Sequence, residues 1–94
     1  MKATSAVDVT TLQDIPNIGP AIEQKLAQIN ILHPQDLLGT DPAALYRELC
    51  KISNKRYDPC LLDVFMAAVD FMEGAPARQW WFYTKKRKEK YLNL

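Results

Sequence analysis

Reactive and metal-ligating side chains are scarce in this chain. It has one histidine, His33, two cysteines, Cys50 and Cys60, and two serines, Ser5 and Ser53. The histidine and the cysteines are scattered, with no CxxC or HxxxH spacing, so no metal site is expected. Neither serine sits in a nucleophile motif, and the chain has no P-loop, no GxGxxG and no histidine pair. Catalysis, a cofactor and a small-molecule substrate are therefore not expected. No apolar run approaches the ~20 residues that a membrane span needs, so no membrane partner is expected. The opening MKATSAVDVTT lacks the apolar middle of a signal peptide. The expected setting is cytoplasmic, with both cysteines as reduced core thiols rather than a disulfide.

Three glycines and six prolines in 94 residues, with 48% apolar side chains, describe one folded domain with a modest core. A formal net charge of +1 conceals an asymmetry. Residues 1–77 carry six basic and ten acidic side chains, whereas residues 78–94 carry six basic and one acidic. The body is mildly acidic and the end strongly basic, and that separation bears on partner choice more than the total does.

Residues 1–8 show no periodicity and are expected to be disordered. A domain is expected over 9–83 and a basic tail over 84–94. A short helix is read over 10–15, ended by Pro16. The next begins at Pro20, with Ile22, Leu26 and Ile29 on one face and Asn30 as a left-handed stop. HPQDLLGT reads as a third short helix burying Leu37 and Leu38. Asp41 caps a fourth, with Leu45, Leu49 and Ile52 on one face. Asp58 caps a fifth, PCLLDVFMAAVDFME, stopped by Gly74. This helix is apolar apart from Asp63 and Asp70, so it is read as central, with a thin solvated stripe. The last segment reads as a helix that frays. The fold class is therefore a compact all-α domain.

The stretch PNIGP, residues 16–20, follows an apolar residue and opens a helix. Ile18 is expected to tuck between the flanking helices, and Gly19 to allow close approach of a partner. The amides of Gly19, Ala21 and Ile22 then lie at a helix N-terminus, where the dipole favours an anion such as a nucleic-acid phosphate. Such contacts position a duplex but read no sequence. The alternative is a corner that packs two helices and binds nothing.

The pattern extends through LQDIPNIGPAIEQKLAQINILHPQDLLGTDPAALYRELC, YDPCLLDVFMAAVDFM and WW. Over about residues 11–81 the chain resembles the small bacterial pathogenicity-locus, mitomycin-resistance-like family. Its hairpin is also similar to those of the RNA polymerase alpha C-terminal domain and the competence-regulator C-terminal domain. The resemblance implies a five-helix, helix-hairpin-helix fold of SAM-domain-like type and non-specific binding of double-stranded DNA. The phosphate-binding residues it points to are Asn17, Ile18, Gly19, Ala21, Ile22 and Lys25. Such hairpins usually carry Gly where Asn17 stands; Asn tolerates the left-handed region. They usually carry a small residue where Glu23 stands. Glu23 and Asp14 oppose an anion there, and Lys25 offsets them.

Further cations fall elsewhere. Lys55 and Arg56, with Lys51, surround a second turn that either supplies charge to the same groove or is a solvated loop. Lys85, Lys86, Arg87, Lys88 and Lys90 form a run that either attracts nucleic acid or solubilises the tail. Trp80, Trp81, Phe82 and Tyr83 cannot all bury in so small a core. One or two dock on the fifth helix, and the rest are either simply exposed or a surface for protein contact or homo-oligomerisation.

Overall fold

The computed structural model describes residues 2–91; Met1 and residues 92–94, the outermost parts of the expected N-terminal and tail segments, lie outside them. The architecture is all-helical, with four α-helices: α1 (Pro20–Gln28), α2 (Pro42–Ser53), α3 (Cys60–Met72) and α4 (Thr84–Lys90). Four 3-10 turns, Ala6–Asp8, Leu12–Asp14, Pro34–Leu37 and Trp80–Tyr83, connect and flank them. Among the described residues there is no strand. The radius of gyration is 12.3 Å, near the ~12 Å of a compact domain of this length.

Two of the helices read from the sequence, at 10–15 and 34–39, are 3-10 turns over Leu12–Asp14 and Pro34–Leu37, and one capping device begins both. Asp14 Oδ2 accepts from the amides of Thr10 and Thr11, each at 3.0 Å. Asp36 Oδ2 accepts in the same way from Leu32 and His33, also at 3.0 Å. Each aspartate folds back over the start of its own turn and satisfies the amides left open there.

The α-helices begin and end as their caps dictate. Asp41 Oδ1 accepts from Ala43 N at 3.0 Å ahead of α2, and Asp58 Oδ1 from Cys60 N at 2.8 Å ahead of α3. Asn30 (φ 65°) and Asn54 (φ 51°) follow α1 and α2 in the left-handed region, and Gly74 (φ 108°) follows α3.

α3 is the centre of the molecule. Leu61 to Val69 are all buried, and α2, α4 and the turns at 34–37 and 80–83 pack around it. The stripe read as solvated is not. Asp63 is completely buried and Asp70 half-buried, because the segment from Trp80 onward covers that side of α3. Three smaller expectations are also corrected. α2 buries Ala43, Tyr46 and Leu49, leaving Leu45 half-buried and Ile52 exposed. Leu38 is exposed beside a buried Leu37. Cys50 and Cys60 are unpaired but half-buried rather than in the core. No helix is long and apolar enough to cross a membrane.

Candidate functional site

The turn at 15–20 is built from the residues that suggested it. Ile18 N donates to Ile15 O at 3.2 Å, Asn17 takes φ 75°, and Ile18 is fully buried between the flanking elements. Gly19 caps α1 with φ −107° and ψ −172°, an extended conformation open to any residue. A Cβ added to Gly19 would meet nothing within 4 Å. Neither backbone nor packing therefore requires glycine there. Glu23 N closes the first helical hydrogen bond, to Gly19 O at 3.0 Å. Among the described residues the amides of Gly19, Ala21 and Ile22 donate to nothing. Gly19 is half-buried and Pro20 and Ala21 are exposed, so these donors start at the surface.

Charge around the turn comes from an unforeseen source. The start of the chain, expected to be disordered, is docked on the turn over its described residues. Ala3 N donates to Asp14 O at 2.8 Å. The Lys2 ammonium donates to three carbonyls, those of Gln13 (2.6 Å), Ile15 (3.1 Å) and Ile18. Burial lowers its pKa from the ordinary lysine value, and the Asp14 carboxylate partly opposes that shift. A cation is thus fixed one residue from Gly19.

The two acids beside the turn are occupied. The Asp14 carboxylate holds the Thr10 and Thr11 amides and the Thr10 hydroxyl (2.9 Å), and those bonds lower its pKa to about 2. Glu23 accepts from Gln13 Nε2 at 2.9 Å. Lys25, further along α1, lies 5.7 Å from the centroid of the Tyr57 ring, and Lys55 lies 4.5 Å from the same ring. Tyr57 therefore brings the second turn's lysine to α1. Arg56 is exposed, with its guanidinium beside the Tyr46 hydroxyl.

Asn17 does more than tolerate positive φ. Its Nδ2 donates to Arg78 O at 2.8 Å, and its Oδ1 accepts from Trp80 N at 3.2 Å. These bonds fasten the turn to the segment ahead of α4. Between them and the N-terminal arm runs a groove of about 510 Å³, lined by Lys2, Ala3, Thr4, Pro16, Asn17, Ala77, Arg78 and Gln79. It holds two cations and no carboxylate. The larger groove, about 660 Å³, sets Asp41, Asp70, Glu73 and Glu89 against Lys86 and Lys90, a mixed field that does not select an anion.

The aromatic run divides. Tyr83 is buried, Trp80 is half-buried, and Trp81 and Phe82 are exposed. Of the tail cations, Lys85, Lys86, Lys88 and Lys90 are exposed on α4. Arg87 is not a free tail charge. Its Nε donates to Asp63 Oδ1 at 2.7 Å, and Thr84 Oγ1 donates to Asp63 Oδ2 at 2.6 Å. The two partners are 24 residues apart, and no local pattern joins them. Lys2 and Arg78 were equally invisible, each a lone cation in a segment without periodicity. Among the described residues no cluster of His, Cys, Asp or Glu could hold a metal ion.

Comparison with known proteins covers nearly all of this. The profile of the Cdd1 family, described as pathogenicity locus, matches residues 5–89. The chain belongs to the pathogenicity-locus family. It is 41% identical over 88 residues to the mitomycin resistance protein McrB of Streptomyces lavendulae, an alignment spanning 94% of this chain and 81% of that protein. No solved structure matches. The match takes in the turn, the aromatic run and α4 to Glu89, so these parts belong to the family's domain, whereas Lys2 and Ala3 precede it.

Proposed function

We propose that this member of the pathogenicity-locus family is a non-enzymatic, cytoplasmic DNA-binding module of helix-hairpin-helix, SAM-domain-like type, which grips duplex phosphates without reading sequence. The observation that carries this reading is Gly19. Its conformation is open to any residue and its missing side chain faces open space, so the bare backbone serves an approach from outside. The free amides of Gly19, Ala21 and Ile22 supply donors. Lys2 and Arg78 line the adjoining groove, and Lys25 and Lys55 meet at Tyr57. With so few contacts, affinity belongs in the range of ~10⁻⁴–10⁻⁶ M for non-specific binding. The McrB relative's name ties that protein to mitomycin resistance, a role that a DNA-binding module is suited to serve.

The test is titration of a labelled blunt duplex with the wild type, Gly19→Ala, and Lys25→Glu/Lys55→Glu. Gly19→Ala adds a methyl where nothing clashes and costs only a cap preference of about 1 kcal/mol. It should keep its helical circular dichroism and lose affinity. The double charge variant should weaken binding equally across sequences. A wild type with no salt-dependent binding overturns the reading. A second reading, contact with another protein or a second copy through residues 80–83, draws on the exposure of Trp81 and Phe82 alone, since Tyr83 is buried.

A further inference from the structure

Two large aromatic side chains stand in water at the edge of this domain: Trp81 is 60% exposed and Phe82 50%. The segment that carries them is not loose. Upstream, Trp80 N is tied to Asn17, and downstream Tyr83 is buried and Arg87 is locked to the buried Asp63. Two long-range attachments thus tie down both ends of a four-residue turn while its middle side chains face solvent.

Cations stand nearest the rings, with Glu89 exposed on the same helix and Lys86 and Lys90 also bordering the groove that holds Asp70 and Glu73. Arg78 sits 4.4 Å from the Phe82 ring centroid and Lys86 5.9 Å from it. Lys85, Lys88 and Lys90 are exposed on the helix that follows. Among the described residues the one ion pair is Arg87–Asp63, so none of these cations is ion-paired there. Protein–protein contacts are depleted in lysine at their centres, which disfavours a protein occupant. A membrane surface is disfavoured as well, because α4 has no apolar face to lay into lipid, its one buried residue being Arg87. Exposed rings set among unpaired cations match one polyanion in particular, a strand whose bases are free to stack while its phosphates meet lysine and arginine.

We infer that Trp81, Phe82 and Arg78 form a stacking platform for unpaired bases, so that the preferred ligand is DNA in which a single-stranded stretch adjoins a duplex. This rests on the proposed duplex binding by the hairpin and extends it. Asn17 holds the two sites side by side, bonded at once to Arg78 and Trp80 while it shapes the Gly19 turn. In a 3-10 turn successive side chains point about 120° apart. Trp81 and Phe82 therefore take separate bases, with the Arg78 guanidinium lying against the Phe82 ring as a second planar surface.

The experiment compares three labelled probes of equal phosphate number: a blunt duplex, a single strand of thymidines, and a duplex with a thymidine overhang. Binding is followed by anisotropy and by quenching of the two tryptophans. Both target side chains are exposed, so Trp81→Ala/Phe82→Ala should fold as the wild type does. The overhang duplex should bind at least about five-fold more tightly than the blunt one, the low end of one base stacking on an aromatic ring. The double variant should erase that preference and leave blunt-duplex affinity unchanged. Equal affinity for overhang and blunt probes, or a preference that survives the double variant, overturns the platform and leaves duplex binding standing. Quenching by single strands with no binding of the blunt duplex removes the hairpin reading and upholds the platform. Self-association that the double variant abolishes, without any probe bound, assigns the rings to a protein contact and overturns the inference.

Discussion

Asn17 shows how one residue meets two requirements. The turn needs a residue at φ 75°, and the segment ahead of α4 needs both a donor and an acceptor from the turn. Glycine satisfies the first alone. Asn17→Gly should keep the turn but lose two hydrogen bonds worth about 1 kcal/mol each, visible as a lower urea midpoint. Asn17→Ala should cost more, because it adds left-handed strain of about 1 kcal/mol to the same loss. Asp14 offers a pH signature at the same scale. The amides of Thr11 and then Thr10 lower its pKa from 3.8 to about 2. A depressed carboxylate stabilises the fold above its unfolded pKa and ceases to do so as pH falls through the folded value. The Asp14 carboxyl should therefore titrate near pH 2 by NMR. Exchange protection at Thr10 and Thr11 should fall between about pH 4 and pH 2, and Asp14→Asn should remove that transition.

Among the elements, α3 is the hub, packed chiefly on α2 and the 80–83 turn and joined to α4 by an ion pair. α3 is apolar nearly throughout, yet it buries Asp63 completely, where Thr84 and Arg87 of α4 satisfy the carboxylate. Removing one member strands a buried charge. Arg87→Met alone should cost about 3–5 kcal/mol, whereas Asp63→Leu with Arg87→Met should be close to neutral. Denaturant melts of the two variants check this. The same lock fixes the turn that holds Trp81 and Phe82, so Arg87→Met should also broaden the tryptophan signals of any population that stays folded. At the other end of the chain, Lys2 is the element-level fastener, one ammonium shared among three carbonyls of the hairpin.

Across the whole molecule, charge is segregated and the last segment is structural. The proposed DNA contact draws on Lys2, Lys25, Lys55 and Arg78 from four separate stretches of chain. Neutralising about four phosphates predicts a slope near −3.6 in log affinity against log salt. Measuring duplex affinity between about 50 mM and 200 mM salt should show a loss on the order of 100-fold. The chain cannot be divided at the charge boundary. A protein ending at residue 77 loses Tyr83, Thr84 and Arg87, exposes the apolar surface of α3 that this segment covers and strips Asp63 of both its partners. It should show no cooperative thermal transition by circular dichroism.

Local chemistry made much of this legible from the chain alone. Pro20, Pro42, Asp41, Asp58, Asn30 and Gly74 mark helix ends because capping acts over a few residues. The apolar run at 61–69 declares a central helix because so thin a polar stripe needs cover on most sides. The aromatic and basic run at 80–90 announces itself by composition. Tertiary structure decided the rest, since it depends on what distant segments bring together. Whether Asp63 faces water or Arg87, whether Lys2 frays or clasps the hairpin, and whether Asn17 merely turns or also ties down Trp80 are settled by contacts 11 to 63 residues apart. A charge in a sequence carries no record of its partner; only the packed chain supplies one.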